Sequence, residues 1–244
     1  YAEGVRTRVL GRGANVLVRD SGFDGVVIRL TDKQFAGTTF DGSRVRAGGG
    51  VELMPLAFAC AQKGLAGLEA MAGIPGTVGG AVRMNAGGRY GQFGDVVEEV
   101  ELIDERGEIS RLTKDELEFG YRRSAVGSRT VISATVGLEP VDPAVSTGRY
   151  RDILAEKKAS QPLGDKSAGC VFKNPDGASA GAMIDRSGMK GASRGGARVS
   201  DRHANFIVAN ADATSADVLA LVDDVREAVR REQRVDLELE IDVW

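Results

Sequence analysis

Between residues 73 and 81 the chain reads GIPGTVGGA, four glycines and a proline in nine positions. Glycine has no Cβ, so a run this dense fits where backbone must approach something closely, with Pro75 fixing the entry. Two readings stand side by side. The segment is a tight turn with close helix packing, or it aims N–H groups at an anion such as a pyrophosphate. Gly73, Pro75, Gly76, Thr77, Gly79, Gly80 and Ala81 are the residues concerned. A second stretch, LGRGANVLV over 10–18, offers Gly11, Gly13, Ala14 and Asn15. Strands are expected on both of its sides. A Rossmann-type dinucleotide fingerprint needs a helix to open after the turn, so that reading fails. Either loop alone leaves turn and ligand evenly balanced; two of them in an α+β chain favour a nucleotide cofactor.

The elements predicted around these loops are mixed. VRTRVL (5–10), NVLVRD (15–20) and GVVIRL (25–30) read as short strands between turn residues. VELMPLAFACAQKG reads as a helix closed by Gly64. VVEEVELIDERGEISRL predicts two strands around a turn at 105–107, and Thr113 with Glu116 forms a capping box that predicts a short helix. Further helices are expected over 149–161, over 178–191, and over 214–233, the last with Thr214 and Asp217 as its capping box. There Val218, Val222, Val225 and Val229 form a core stripe. ANFIVAN (204–210) reads as a strand, and VDLELEIDV (235–243) alternates strictly. The Pro, Ser, Thr and Gly of EPVDPAVSTG place a domain boundary near 140–150.

At 244 residues the chain accommodates one large or two moderate domains. A net charge of −3 provides no field for nucleic acid or an anionic membrane, so neither partner is expected. No apolar run reaches the ~20 residues of a membrane helix, and the cytoplasm is the default address. A reducing compartment disfavours a disulfide between Cys60 and Cys170, and one histidine with two distant cysteines makes no zinc spacing. No metal is expected. Cys60 sits in an apolar run and reads as packing. Cys170, in SAGCVFKNP, is left open between packing, nucleophile and proton donor.

LGRGANVLV, GLEAMAGIPGTVGGAVRMNAGG, FGYRRS, AGCVFKNP, MKGASRGGARVSDRHANFIV and LELEI occur in the order found in the flavoenzyme family UDP-N-acetylenolpyruvoylglucosamine reductase (MurB), and the chain resembles that family over nearly its whole length. The resemblance implies an FAD-binding domain of the vanillyl-alcohol-oxidase (PCMH) type over 1–145. A smaller α+β substrate domain over 146–234 and a terminal strand over 235–244 returning to the active site would follow. Lacking the two-part insertion of one subclass, the chain resembles the compact second type; family members begin with a further strand–helix unit that helps wrap the flavin, and this sequence starts at Tyr1 without it. The resemblance also implies FAD and NADPH as cofactors, a UDP-sugar enolpyruvyl ether as substrate, and a monomer. In the implied reaction NADPH reduces the flavin, hydride goes to C3 of the enolpyruvyl ether, and C2 takes a proton.

Carried over residue by residue, Arg122 would hold the substrate carboxylate and the enolate, a task suited to a planar, permanently charged guanidinium. Cys170 fills a position usually occupied by serine, as proton donor. A thiol titrates near ~8.5, far below a serine hydroxyl, and only its protonated form can donate. Glu240 would assist protonation, with Glu238 as the alternative if the register slips. Tyr121, Lys173 and Asn174 would contact substrate; Tyr90 corresponds to a pocket aromatic. His203 orients a loop and has no catalytic part. Arg12 either adds charge near the pyrophosphate or points outward. The rival readings are an FAD-linked oxidase or dehydrogenase of the same fold, and a non-catalytic UDP-sugar or flavin-binding protein.

Overall fold

The structure, a computed structural model, describes residues 4–244. Two compact units make up the chain: one comprises the segment ending at Arg12 together with Gly25–Glu156, the other Gly13–Asp24 together with Lys157–Trp244. The first unit is built on a five-stranded antiparallel sheet in the order Ile109–Thr113, Val97–Ile103, Thr130–Gly137, Arg44–Gly48, Thr38–Asp41. Period-two alternation sends Val100 and Leu102 into the core, and a register shift at Glu98, between the Thr135–Glu99 and Val136–Val97 pairs, brings Val97 to the same face. Arg44, Arg46 and Arg111 instead meet Glu98, Glu99 and Glu101 in exposed or half-exposed ion pairs. The helices Leu53–Gln62 and Val78–Met84 supply Leu53, Leu56, Val78 and Val82 to the same core. Gly49 lets the chain thread beneath this sheet, since a Cβ there would lie 2.1 Å from the Val131 carbonyl oxygen.

In the second unit the helices Ala180–Arg186 and Ser215–Gln233 share a core with the antiparallel strands Ser193–Arg194, Ala197–Val199 and Ile207–Ala209. The valine stripe 218, 222, 225, 229 is buried, as its spacing predicts. The capping box is formed: the Asp217 N–H donates to Thr214 Oγ1 (3.1 Å) and the Thr214 N–H to Asp217 Oδ2 (3.0 Å). Residues 13–24 belong here for physical reasons. Val16–Leu17 pairs in parallel with Asp242–Val243, and Asp20 Oδ1 accepts the Ser215 N–H at 2.9 Å, a second cap on the long helix. Phe23 packs on Trp244 with ring centroids 5.7 Å apart.

Three local expectations differ. The helix expected to begin at 149 begins at Pro143 and runs unbroken to Ser160, so Pro143, Ser146 and Gly148 lie within its first two turns, and the units part at Glu156/Lys157. Thr113 and Glu116 make their hydrogen bonds, the Thr113 N–H and Oγ1–H both reaching Glu116 Oε2 at 2.8 Å. No helix follows, because Glu118 takes φ +43° and turns the chain away. The alternating tail is a ladder strand only at Asp242–Val243, with Leu239 bridged to Phe172.

Candidate active site

In the first unit, GIPGTVGGA divides its amides between the fold and open space. The Val78 and Gly79 N–H groups donate to Val51 O (2.9 Å) and Gly49 O (2.8 Å); Ala81 N–H donates to Thr77 O (2.9 Å) and Gly80 N–H to Thr77 Oγ1 (3.5 Å). Among the described residues no protein partner is given to the amides of Gly76 and Thr77. Gly76 has φ +150°, and a Cβ added to it would meet nothing within 4 Å. The open edge of the loop is therefore Gly76–Thr77, not the whole run. Gly73, at φ +73°, and Pro75 shape the approach, while Gly79 lies against Gly49 and Ala81 is buried. Gly11 closes one side: a Cβ there would stand 2.6 Å from Thr77 Oγ1. Arg12 pairs with Glu52 at 2.8 Å. Backbone N–H groups left open in this way are suited to receive an anionic group. The run Gly48–Gly50 completes the packing behind this loop, and sequence reasoning passed over it; its signal was three consecutive glycines after a strand.

Arg122 occupies the apex of a tight turn. Gly120 and Arg123 exchange backbone hydrogen bonds, Gly120 N–H to Arg123 O at 3.1 Å and Arg123 N–H to Gly120 O at 3.3 Å, so Tyr121 and Arg122 are the central pair. Arg122 has φ +52°, a left-handed conformation that favours glycine or asparagine at this position. Its guanidinium carbon lies 5.2 Å from the centroid of the half-exposed Tyr121 ring. Tyr90 clusters instead with Arg89 and Glu156.

In the second unit the cysteine loop and the tail lie side by side. Glu240 N–H donates to Val171 O at 2.8 Å, and Lys173 N–H to Glu238 O at 2.9 Å, which sets Glu240 beside the residue following Cys170. Asn15 Nδ2 donates to Glu240 O (2.9 Å), its own carbonyl accepts from Asp242, and the Ala14 carbonyl oxygen would lie 3.4 Å from a Cβ on Gly169. Asp236, Glu238 and Asp242 are exposed, whereas Glu240 is half-buried. Lys173 pairs with Glu238 at 3.1 Å, so Glu238 is already engaged. Asn174 Oδ1 accepts the Ala180 N–H at 3.0 Å. Gly13 takes φ +70° at the start of this segment. Cys170 is half-buried, and neither it nor Cys60 is in a disulfide.

The cysteine loop is pinned from behind by a residue that sequence reasoning missed. Asn205 is buried; its Oδ1 accepts the Phe172 N–H (2.9 Å) and its Nδ2 donates to Phe172 O (2.8 Å), a side chain standing in for a strand. His203 Nδ1 accepts the Asn205 N–H at 3.3 Å, and burial first, then Lys190, pulls its pKa below the usual value of 6.5. That contact ties the imidazole to the backbone of Asn205, two residues on.

Comparison with known proteins gives these features a frame. Residues 161–244 match the family model described as UDP-N-acetylenolpyruvoylglucosamine reductase, C-terminal domain, and residues 1–113 match an FAD binding domain. The chain is 44% identical over 244 residues to UDP-N-acetylenolpyruvoylglucosamine reductase 2 of Symbiobacterium thermophilum, covering 99% of this chain and 79% of that protein. The chain belongs to the UDP-N-acetylenolpyruvoylglucosamine reductase family. The reductase of Moorella thermoacetica is 43% identical over 243 residues, spanning 99% of this chain and 80% of its own. The crystal structure of the reductase from Thermus caldophilus superposes with a TM-score of 0.88 at 40% identity, covering all of this chain and 87% of that one. Within this reductase family the open edge at Gly76–Thr77 lies inside the matched FAD binding domain, and Cys170 and Glu240 lie inside the matched C-terminal domain.

Proposed function

We propose that the chain reduces UDP-N-acetylglucosamine enolpyruvate to UDP-N-acetylmuramate with NADPH and FAD, a step of peptidoglycan synthesis. The observation that carries this reading is the position of Glu240. Of the tail acids it alone is drawn from full exposure and set by its own backbone beside the Cys170 loop, in a chain whose matched domains are those of an FAD-binding reductase. Bound FAD would supply the hydride chemistry between NADPH and C3 of the enolpyruvyl ether. Gly11, Gly76 and Thr77 would hold its diphosphate by backbone contact, and Gly73, Pro75, Gly79, Gly80 and Ala81 shape that loop. Family resemblance assigns Gly13, Ala14 and Asn15 to cofactor binding as well, and Asn15 also tethers Glu240 through the tail backbone.

Arg122 binds the substrate carboxylate and stabilises the negative charge that develops toward it as hydride arrives. Cys170 Sγ–H gives its proton to C2, forming the C–H bond, and the thiolate recovers a proton from solvent. Glu240 assists that proton transfer. Tyr121, Lys173 and Asn174 contact the sugar nucleotide. The test is NADPH oxidation by the FAD-loaded protein with and without the enolpyruvyl substrate. Oxidation that depends on the sugar nucleotide is expected; oxidation indifferent to it would make the protein a flavin oxidase and sink the proposal.

A further inference from the structure

Asn85 follows the helix Val78–Met84 and is completely buried. It closes that helix in the left-handed conformation, φ +43° and ψ +57°, and the Ala86 N–H donates back to Ala81 O at 2.9 Å. Glycine would meet this backbone requirement without strain. The asparagine side chain does something a glycine cannot. Its Oδ1 accepts the Gly94 N–H at 2.9 Å, and its Nδ2 donates to Gln92 Oε1 at 2.9 Å and to the Gly120 carbonyl at 3.0 Å. Gly94 presents an obligate donor and Gly120 an obligate acceptor, so the orientation of the amide is fixed from both ends.

Gly120 is the first residue of the turn that displays Tyr121 and Arg122. The same helix reaches the rest of that loop from its surface side. Arg83 donates to Gly127 O and Arg129 O, each at 2.8 Å, and Ser124 Oγ donates to Arg83 O at 3.1 Å. Thr77, at the other end of the helix, belongs to the open glycine edge. One seven-residue helix thus begins at the cofactor loop and ends on the buried anchor of the Arg122 turn.

We infer that Asn85 is a positioning residue for Arg122: its buried amide holds the Gly120 carbonyl, and with it the left-handed turn, at a fixed place relative to the Gly76–Thr77 edge. The inference rests on the role proposed above for Arg122. A left-handed arginine is intrinsically unfavourable, so the turn keeps that shape only where its flanks are held. Removing the hold lets Arg122 relax without touching the cofactor loop.

The decisive variant is Asn85→Asp, which keeps the acceptor for Gly94 but sets a carboxylate oxygen against the Gly120 carbonyl. Rapid-mixing kinetics separate flavin reduction by NADPH from flavin reoxidation by the enolpyruvyl substrate. The reoxidation rate constant at low substrate should fall by about 100-fold, the scale of a 1 Å displacement of a catalytic group. Flavin retention and the rate of flavin reduction should stay within about twofold, since no group facing either is altered. Calorimetric affinity for UDP-N-acetylmuramate should fall by about tenfold, the equivalent of one hydrogen bond to a charged group. In the Arg122→Ala background, Asn85→Asp should add nothing to the loss in reoxidation.

Losses that multiply in the double variant, or flavin reduction falling along with reoxidation, would show Asn85 to be merely structural. Should the aspartate variant fail to fold, Asn85→Gly keeps the left-handed cap, loses the same hold, and is judged by the same measurements. Arg122→Ala with unimpaired reoxidation would overturn the reading of Arg122 itself, an outcome distinct from additivity.

Discussion

Arg122 satisfies a chemical requirement at a conformational expense. At the apex of a type II-like turn an L-residue with φ +52° is disfavoured by about 1–2 kcal/mol relative to glycine. Arg122→Gly and Arg122→Ala should therefore lose turnover alike, by about 100-fold or more if the guanidinium stabilises developing charge. The glycine variant should nevertheless unfold at higher denaturant than the alanine variant by about 1 kcal/mol. Equal stability would mean the turn relaxes in solution. Nothing in FGYRRS announces this conformation, because glycine or asparagine is the usual mark of it; Arg122 was singled out by family resemblance alone. The two cysteines were easier to tell apart. Burial, reinforced by Glu69, pushes the Cys60 thiol up to about 12, while Cys170 is half-buried. Alkylation by iodoacetamide at pH 8 should label Cys170 and spare Cys60 by mass spectrometry, and a Cys170→Ser chain should take no label. His203 gives a pH signature. Its folded pKa lies below 6.5, so below that value the unfolded chain binds the proton first. Stability should be full above pH 6.5 and decline as pH falls beneath it. His203→Gln should flatten that decline in pH-dependent thermal unfolding, and an unchanged slope would contradict the burial of the imidazole.

At the scale of elements, the helix Ser215–Gln233 was the most legible part of the chain, because its capping box and valine stripe agree with each other. Its second cap was not legible, since Asp20 lies 195 residues away in sequence. Asp217 also accepts the Gly196 N–H at 3.2 Å, so it ties the turn of the neighbouring hairpin to the same helix end. Thr214→Ala should lower stability by about 1 kcal/mol, the ordinary worth of an N-cap. Asp217→Ala should lower it further in the same denaturant titration, because two elements lose a partner; an equal or smaller loss would make the hairpin tie ornamental. The weaker signals misled for identifiable reasons. Period-two alternation in VDLELEIDV reports which side chains face the core, and Leu237 and Ile241 do face it. It says nothing about whether a neighbouring strand is present along the full length. The proline and small residues of EPVDPAVSTG are equally at home in the first turn of a helix, where Pro143 sits.

For the whole molecule, the informative feature is the loan of residues 13–24 to the second unit. That segment supplies the strand beside Asp242–Val243 and caps the longest helix. A fragment of 157–244 alone should give a poorly dispersed amide spectrum. The same fragment preceded by residues 13–24 on a flexible linker should give the dispersed spectrum of a folded domain. Two equally dispersed spectra would show the loan to be dispensable. The loan also bears on how such a chain can be recombined. The matched segments 1–113 and 161–244 follow one another along the gene as if either could be exchanged between relatives. A crossover placed between them would nonetheless join an incoming tail to a resident strand with which it had never been selected. Chimeras of these reductases should succeed when the donor contributes both 13–24 and 157–244, and inheritance of the second unit is in that sense discontinuous.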